Sequence, residues 1–292
     1  MFKWYRWKIG RKLIKFGAWN IAIRQCDNDY LYNNDDSKRV YLNIPNTDTH
    51  WFADPILYEE NGKTWLFVEA FNNSKHRGEI GVFEIVDGKA KDFRIIIENS
   101  FHMSFPYVFE IDGKKYMVPE TGDNNSVTLY QSNNFPYEWK KVKDILIGDK
   151  YRDSTVYCCG GKIYLYTYLR TDNRRIFHTY KCMLYELNKD DFSLKLIEEY
   201  PDSKVNRRSA GPVIYLNDKC IHTTQLCKKC YGEALEFWEN SISEISWKHL
   251  KPYKKVYGSN VEILNKCIPE IIHTYSATTK YEVIDYKNRE NK

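Results

Sequence analysis

The sequence lacks several features, and each absence excludes a class of protein. No apolar run approaches the roughly 20 residues that a transmembrane helix requires, so no membrane span is predicted. The basic N-terminus is not followed by an uninterrupted apolar segment, so no cleavable signal peptide is predicted either. A glycine-rich phosphate loop, an HExxH pair and a nucleophilic-serine elbow are also missing. These absences exclude the usual signatures of P-loop enzymes, zinc proteases and serine hydrolases.

Acidic residues are absent from residues 1–24, a segment that carries seven basic ones. The formal net charge of the whole chain is +5, so the remainder of the chain is close to neutral. Nucleic-acid-binding domains carry a basic stripe or patch on the folded body. We therefore expect no nucleic-acid partner.

The eight cysteines do not form a disulfide or zinc pattern. Several lie in apolar segments, as in Val156-Tyr157-Cys158-Cys159, which is typical of buried free thiols in a reducing cytoplasm. Cys227-Lys228-Lys229-Cys230 has a zinc-like spacing, but no second pair of cysteines or histidines lies at finger distance. The sequence thus predicts a cytoplasmic protein and no metal-ligand set.

What the sequence does contain is a repeated hairpin. Five times, two apolar runs flank a tight turn that ends in lysine, at Asn61-Gly62-Lys63, Asp112-Gly113-Lys114, Gly160-Gly161-Lys162, Asn217-Asp218-Lys219 and Asn265-Lys266. Asn-Gly, Asp-Gly and Gly-Gly between alternating apolar runs indicate β-hairpins. A period of about fifty residues with one hairpin per repeat is typical of propeller blades. Aromatic residues, which suit pleated sheets, make up 16% of the chain.

These repeats predict an all-β protein in which residues 18–292 form one five-bladed β-propeller. The fifth repeat is short by one strand, and Ala18–Ile23 could supply it, which would also remove an open sheet edge. Residues 27–50 are predicted to be a polar loop. Asp27-Asn28-Asp29 in this loop matches the triplet with which some nucleotide-sugar transferases bind a divalent cation, but so short a pattern recurs by chance.

Residues 1–17 are interpreted as a separate basic arm. Tyr5, Ile9, Leu13 and Phe16 have the spacing of one helical face, and lysines and arginines fill much of the remaining surface. This pattern is typical of a helix that lies in a membrane interface. The sequence therefore predicts a short basic N-terminal helix that docks on an anionic cytoplasmic leaflet. The alternative is a short helix packed across one face of the propeller.

Polar residues recur at two positions of the repeats. Nine residues before the turn lysine lie Asp54, Phe105 and Asp153, with Arg208 near the same place in the fourth repeat. Six residues after the lysine lie Glu69, Glu120, Tyr168 and Gln225, with His273 one residue further on in the fifth. A hairpin brings the start of its first strand beside the end of its second. These side chains should therefore surround one mouth of the channel.

The chemistry of this set suits a polar, hydroxyl-rich ligand. Paired carboxylates can act as acid and base or nucleophile on a glycosidic bond, and an arginine can bind a carboxylate or phosphate. We predict Asp54, Glu120 and Asp153 as catalytic residues. The predicted substrate-binding residues are Glu69, Arg77, His102, Arg208, Gln225, Tyr231 and His273. The alternative interpretation is that these residues satisfy strand ends and hold the blades together.

Several ordered blocks of the sequence resemble a known family. They are Trp51–Pro55 with Leu66–Glu69 and Gly78–Val82, His102–Tyr107 with Tyr116–Glu120, Asp153-Ser154-Thr155, Arg208–Gly211, Gln225, Tyr231-Gly232 and His273-Thr274. In this order they resemble the N-terminal domain of the plant glucosamine inositolphosphorylceramide transferases, which also occurs in bacterial polysaccharide loci. The resemblance covers roughly residues 18–286 and implies a role in glycan biosynthesis.

The resemblance also implies an architecture similar to five-bladed glycoside hydrolases of the arabinanase and invertase type. In those enzymes an Asp of blade one, an Asp of blade two and a Glu of blade three carry catalysis. Asp54 matches the first, Phe105 stands at the second position, and Asp153 stands at the third. These departures argue against ordinary furanosidase chemistry. The plant protein carries a separate glycosyltransferase domain, which this chain lacks.

Three hypotheses follow. The leading one is a cytoplasmic, membrane-associated, glycosyltransferase-like enzyme of surface glycan synthesis. It would use a sugar or nucleotide-sugar donor, with a divalent cation as a candidate cofactor. In it Asp54 is the general base or the carboxylate on the nucleophile side, Glu120 or Asp153 is its partner, and Arg208 binds a phosphate or an acid. The second is a glycoside hydrolase, and the third is a non-catalytic glycan-binding module that assists another transferase.

Overall fold

The computed structural model describes residues 17–33, 37–171, 180–201, 208–216 and 218–288, together with the backbone of residues 7–9 and 12–14. In the N-terminal arm, strand β1 (Trp7–Ile9) pairs antiparallel with β2 (Lys12–Ile14). The predicted helix is therefore wrong for these residues, and the rest of the arm lies outside the described residues. Gly10 disfavours a helix interior, whereas Trp7 and Ile9 favour an extended chain.

The chain folds into five sheets, each a blade of a β-propeller, as the sequence predicts. Strands β3 (Asn20–Gln25) and β4 (Arg39–Ile44) precede the first complete blade. Blade one comprises β5 (His50–Glu60), β6 (Lys63–Asn72), β7 (Arg77–Val86) and β8 (Lys89–Ile97); blade two comprises β9 (Ser104–Ile111), β10 (Lys114–Thr121), β11 (Ser126–Asn134) and β12 (Glu138–Ile147).

Blades three and four repeat this antiparallel meander. Blade three comprises β13 (Lys150–Cys159), β14 (Lys162–Arg170), β15 (Tyr180–Leu187) and β16 (Leu194–Pro201); blade four comprises β17 (Ile214–Tyr215), β18 (Lys219–Leu226), β19 (Ala234–Ser241) and β20 (Lys251–Tyr257). In each of blades one to four the strand order follows the chain order.

The hairpin turns have the backbone that their residues predict. Asn61 and Gly62 have φ values of 52° and 75°, and Asp112 and Gly113 have 48° and 76°. Two successive residues with positive φ make the turn type whose twist matches the flanking strands. Gly160 and Gly161 have the same conformation in blade three. The turn residue predicted at Asn217 lies outside the described residues.

Blade five joins the two ends of the chain. Its strands β21 (Val261–Ile263), β22 (Tyr275–Ala277) and β23 (Tyr281–Tyr286) assemble with the early strands in the order β21-β4-β3-β23-β22. The predicted contribution of the N-terminal segment is confirmed. However, part of the predicted polar loop forms strand β4. Residues on one side of Arg39–Ile44 are buried and those on the other side are not, which is typical of a half-buried strand. The predicted tight turn at Asn265 is present, since Asn265 has a φ of 54° and Ile263 forms an antiparallel bridge with Cys267. The hairpin does not extend beyond this bridge, and β21 pairs parallel with β4 instead.

The core lies between the blades, where apolar faces of neighbouring sheets meet. Phe67 of blade one, Phe105 and Val118 of blade two and Leu165 of blade three belong to one buried cluster. Removing such faces from water contributes most of the stability of a sheet protein. Among the described residues, helix occurs as three single turns, at Gly122–Asn124, Trp247–His249 and Gly258–Asn260, and no helix is long and apolar enough to cross a membrane.

Candidate active site at the mouth of the channel

The innermost strands of blades one, two and three are distorted at the same position. Asp54, Phe105 and Asp153 have φ values of 47°, 46° and 42°, and each adjoins an irregularity in the pairing with the next strand. Left-handed backbone at a residue other than glycine is strained and concentrates at functional sites. These are the residues that lie nine positions before the turn lysines, so the repeat in the sequence corresponds to a repeated backbone feature.

The strand register places the second predicted position beside the first. Ala53 pairs with Glu69, and Ser104 pairs with Glu120. In blade four, where the spacing differs, the amide of Gln225 donates to the carbonyl of Arg208 at 2.9 Å. The predicted juxtaposition of the start of the first strand and the end of the second is therefore present in these three blades.

Asp54 is buried and held from two neighbouring blades. Its Oδ2 accepts from the amide of Phe105 at 3.1 Å, and its Oδ1 accepts from the hydroxyl of Thr274 at 2.8 Å. His273 Nε2 lies 3.4 Å from the same Oδ1. Burial raises the pKa of the Asp54 carboxyl above its ordinary value, and the neighbouring imidazole opposes this rise. Phe105 thus serves the site with its backbone, while its ring packs in the core.

Asp285 of strand β23 lies directly behind Asp54. Its Oδ1 accepts from the amides of His273 and Thr274 at 3.1 and 2.8 Å, and its Oδ2 accepts from the amide of Asp54 at 3.1 Å. His273 Nδ1 lies 2.6 Å from Oδ2, so the imidazole stands between two carboxylates. Although burial acts to lower it, Asp285 and Asp54 raise the pKa of His273 above its ordinary value.

Asp54, His273 and Asp285 offer three potential metal-ligand atoms within 4.8 Å of one another. The surrounding donors argue against a cation there. Both oxygens of Asp285 and both oxygens of Asp54 already face N–H or O–H groups of the protein, and the imidazole occupies the space between them. Hard divalent cations require free oxygen ligands. These residues therefore do not fit a resident Mg²⁺ or Mn²⁺.

A second cluster joins blades two, three and four around Glu120. Its Oε1 accepts from Arg152, and Arg208 reaches its Oε2 at 3.4 Å. Arg208 also binds Asp153 with two nitrogens, one of them at 3.0 Å from Oδ1. The side chains of Arg152 and Arg208 are about one-fifth exposed, whereas those of Glu120 and Asp153 are almost completely buried. The arginine side chains therefore contribute more of the accessible surface of this cluster than the acids do.

Glu120 and Asp153 both contact Arg208 and titrate as a pair. Burial raises the pKa of Asp153 to about 8, and the charge of Glu120 adds to this effect against the opposing charge of Arg208. Burial also acts on Glu120, but Arg152 and Arg208 outweigh it and lower its pKa to about 2. Glu120 is thus a permanent carboxylate, and the proton of the pair resides on Asp153.

Two other predicted residues complete this cluster. The side-chain amide of Gln225 donates to Asp153 Oδ2 at 3.1 Å and to the carbonyl of Ser209 at the same distance. The ring of Tyr231 lies 5.6 Å from the guanidinium carbon of Arg208 and meets the ring of His273 edge-on at 5.1 Å. Tyr231 therefore links this cluster to the one around Asp54.

Glu69 is buried between the two clusters and faces His102. Burial, with the charges of Asp54 and Glu120, raises the pKa of Glu69 well above its ordinary value. His102 Nδ1 accepts from the amide of Gly78 at 2.8 Å, so its Nε2 carries the proton and lies 3.5 Å from Glu69 Oε1. A Cβ at Gly78 would clash with the carbonyl oxygen of Met103 and would lie 2.9 Å from Glu69 and His102, which explains the glycine.

Aromatic side chains form part of the wall of the mouth. Trp51 and Phe71 stack at 4.4 Å and an angle of 9°, and Trp19 stacks on His273 at 4.0 Å. Lys287 lies over the Trp19 ring at 4.5 Å. Burial lowers the pKa of this lysine to about 8, against the charges of Glu69 and Asp285. Flat apolar faces beside carboxylates are the surfaces that sugar rings require.

Three other candidates from the sequence, Arg77, the Asp27-Asn28-Asp29 triplet and the Cys227–Cys230 segment, are not part of these clusters. Arg77 pairs with Glu98 at 3.1 Å, and none of its contacts in the described chain is with Asp54, Glu69, Glu120 or Asp153. In the Asp27-Asn28-Asp29 triplet, Asp29 pairs with Arg24 and Arg39, which leaves little capacity for a cation. Burial raises the pKa of Cys227 to about 11, so its thiol is a poor zinc ligand.

Several site residues escaped the sequence analysis. Asp285 is an acid in the otherwise apolar or aromatic segment Val283–Tyr286. An acid in such a segment indicates a buried carboxylate, which is a signal that the sequence does contain. Arg152 stands next to Asp153 and could have been included on that ground. Thr274 belongs to the His273-Thr274 block of the resemblance, which gave it no role. Trp19 and Lys287 carry no sequence signal, because only ring closure brings them to the mouth.

Solved structures with a similar fold are glycoside hydrolases. A thermostable family-43 glycoside hydrolase matches with a TM-score of 0.58 and 15% identity over 85% of this chain and 92% of its own. The catalytic domain of the GH62 α-L-arabinofuranosidase of Coprinopsis cinerea matches with a TM-score of 0.60 and 12% identity, over 88% and 99%. At such identities the likeness shows the fold alone.

The sequence relatives are glucosamine inositolphosphorylceramide transferases 1. The protein of Arabidopsis thaliana is 29% identical over 150 residues, and that of Oryza sativa subsp. indica is 34% identical over 110 residues. The aligned segments cover 44% and 37% of this chain but 20% and 15% of those proteins. The model of the N-terminal region of glucosamine inositolphosphorylceramide transferase 1 matches residues 42–256. The resemblance seen in the sequence is confirmed, and the chain belongs to this N-terminal domain family.

Proposed function

We propose that this chain is a glycosyltransferase-like protein of glycan biosynthesis that binds and transfers a sugar at the mouth of its propeller. The observation that carries the proposal is the convergence of Asp54 with two partly exposed arginine side chains, Arg152 and Arg208, beside an aromatic wall. The family membership supports the class, because the named relatives are transferases of glucosamine.

Asp54 is the proposed general base. A carboxyl whose pKa is raised by burial is a better proton acceptor near neutral pH than an ordinary aspartate. Its orientation is set by Thr274 and by the Phe105 amide, so the carboxylate does not depend on the ligand for its position. In transfer, Asp54 takes the proton of the acceptor hydroxyl while that oxygen bonds to the sugar carbon and the leaving group departs with its bonding electrons.

The arginines are the proposed binding site for the departing group. Nucleotide sugars leave an anionic diphosphate, and planar guanidinium groups bind phosphate oxygens with two parallel hydrogen bonds. Glu120 and Asp153 hold the two guanidinium groups in place from beneath. This assigns Glu120 a supporting role, because a carboxylate with a pKa of about 2 neither donates nor accepts protons near neutral pH.

A glycoside hydrolase is the second candidate, and Glu69 favours it. A retaining or inverting hydrolase needs one protonated and one ionised carboxyl beside the same bond. Glu69, whose pKa is raised well above the ordinary value, would supply the acid, and Asp54 would supply the base or nucleophile. The fold of the solved hydrolases agrees with this candidate.

The test is release of free nucleotide from a panel of nucleotide sugars by the full chain, with Mg²⁺, with Mn²⁺ and with EDTA. A parallel panel of nitrophenyl glycosides tests hydrolysis. Asp54→Asn is expected to lower the active reaction at least 100-fold, because an amide cannot accept the proton. Asp87→Asn is the matched control, since Asp87 is an exposed turn residue of the same blade at the end of β7.

Each outcome separates the candidates. Nucleotide release that depends on Asp54 supports the transferase, and release of nitrophenol supports the hydrolase. Full activity of Asp54→Asn in either panel contradicts the assigned base. If neither panel gives turnover, while a sugar or nucleotide sugar still perturbs the tryptophan fluorescence, the domain is a binding module.

We also propose that the N-terminal arm holds the protein on an anionic membrane surface on the cytoplasmic side. The described chain gives this arm a defined origin, because the amide of Gly17 donates to the carbonyl of Asn288 at 3.2 Å. Trp19, two residues later, stacks on His273 in the site. An arm that begins at the mouth would bring the site close to lipid-linked acceptors.

Co-sedimentation with vesicles tests this placement. The full chain is expected to bind vesicles that contain phosphatidylserine and to release as salt is raised, because each basic residue near such a surface contributes about 1 kcal/mol. Replacement of Lys3, Arg6, Lys8 and Arg11 by glutamine should abolish binding. The same replacement of four exposed lysines of the blades, Lys63, Lys89, Lys114 and Lys251, is the control. Equal loss in both variants would contradict a role for the arm.

A further inference from the structure

Asp285 is a buried carboxylate that the proposed reaction does not use. It is completely buried and lies behind Asp54, on the side away from the mouth. Its two oxygens accept three backbone N–H groups, from Asp54, His273 and Thr274, and its Oδ2 also lies 2.6 Å from the imidazole of His273. One side chain thus contacts the backbone of the proposed base and both residues, His273 and Thr274, that face its Oδ1.

Resting on the proposed function, we propose that Asp285 is a positioning residue for Asp54, acting through the Asp54 amide and through the His273 ring without touching the ligand. Two independent paths lead from one carboxylate to the other. The first is the backbone, since the Asp285 bond holds Asp54 at its left-handed φ of 47°. The second runs through His273 and Thr274, whose ring nitrogen and hydroxyl face Asp54 Oδ1 at 3.4 and 2.8 Å.

The groups that face His273 decide its charge. Asp285 and Asp54 lie at its two ring nitrogens, Trp19 stacks on one face, and Tyr231 meets it edge-on. The charge of Arg208 opposes protonation of the His273 ring. Lys287, two residues after Asp285, interacts with the Asp285 carboxylate. The closest contact is that with Asp285, so this carboxylate contributes most to keeping the ring protonated.

His222 provides an internal comparison within the same chain. It is buried like His273 but has no ion pair with a carboxylate in the described structure, and burial lowers its pKa to about 3. Its Nε2 faces the thiol of Cys220 at 3.4 Å. The pKa values of these two buried histidines are therefore shifted in opposite directions, and the difference lies in the carboxylate partners.

The test is the ring ¹⁵N spectrum of histidine in the full chain, with His273 assigned by the loss of its signals in His273→Gln. In the wild type, both ring nitrogens of His273 should be protonated at pH 7, whereas His222 should be neutral. In Asp285→Asn, His273 should become neutral at pH 7 and His222 should not change. Asp54→Asn should leave His273 protonated, because its stronger partner remains.

The backbone path has its own measurement. The amide signals of Asp54 and Phe105 should both shift in Asp285→Asn, since the first donates to Asp285 and the second to Asp54 Oδ2. A neutral His273 in the wild type would overturn the proposal, and this holds even if Asp285→Asn does not fold. So would unchanged His273, Asp54 and Phe105 signals in a folded Asp285→Asn. No measurement requires a substrate, so failure of the nucleotide-release assay leaves this test decisive.

Discussion

Two buried acids on the same strand have different kinds of partner. Glu282 and Asp285 lie three residues apart on β23, and both are completely buried. Because side chains alternate along a strand, they point to opposite faces of blade five. Glu282 accepts from Arg24 at 2.8 Å, from the hydroxyls of Tyr41 and Tyr275 at 2.6 and 2.8 Å, and from the amide of Leu31 at 2.9 Å.

The difference between them lies in their partners. The partners of Glu282 are one permanent cation, two phenols and a backbone amide, and three of the four come from the N-terminal segment that closes the ring. Asp285 instead contacts the ring of His273 and the amide of Asp54, two residues whose side chains have pKa values raised by their surroundings. A buried acid with fixed donors stabilises the fold, whereas one beside titratable groups controls a site.

The largest effect is expected from Glu282→Ala. This change leaves the half-buried Arg24 and the two phenols without their acceptor, and breaking a buried ion pair costs about 3–5 kcal/mol. Urea unfolding of the full chain measures the loss, and the exposed residue change Glu138→Ala is the control. A loss below about 1 kcal/mol would show that the ring closes without this network.

Asp285→Asn should destabilise the fold less, by about 1–3 kcal/mol. Asparagine retains an oxygen that can accept from the amides of His273 and Thr274, and only the bonds to Oδ2 are lost. The same urea measurement, made beside Glu282→Gln as the isosteric partner, ranks the two acids. In the assay for nucleotide or nitrophenol release, Asp285→Asn should lose more activity than Glu282→Gln. Equal losses would contradict the division into a structural acid and a site acid.

A third prediction concerns the pH dependence of stability, through Asp153. In the folded chain its pKa is about 8, whereas an unfolded aspartate titrates near 3.8. The folded state therefore retains a proton that the unfolded state releases, and this contribution is present below about pH 4 and disappears as the pH rises towards 8. Tm measured from pH 5 to 8 should fall more steeply in the wild type than in Asp153→Asn. Parallel curves would contradict the raised pKa.

The sequence predicted most of the architecture because the hairpin turns are local. Asn61-Gly62 and Asp112-Gly113 adopt their turn conformation from their own residues, and apolar alternation then defines the strands. The failures lie where distant segments meet. Strand β4 and the parallel pairing of β21 were not predicted, since a polar loop and a hairpin explain the same residues locally. The apolar spacing in residues 1–17 predicts a helix, although Gly10 disfavours one, and residues 7–9 and 12–14 form strands instead.

Of the proposed site, the sequence supplied the positions and the tertiary structure supplied the roles. Repeat spacing by itself predicted that Asp54 and Asp153, with Arg208 near the equivalent position, lie at one mouth, because the repeats have similar lengths. Only the folded ring decided that Arg208 pairs with Asp153, and that Asp285 and His273 stand behind Asp54. The physical reason is that protonation and pairing depend on burial and on charges from other blades, and no local stretch of sequence contains either.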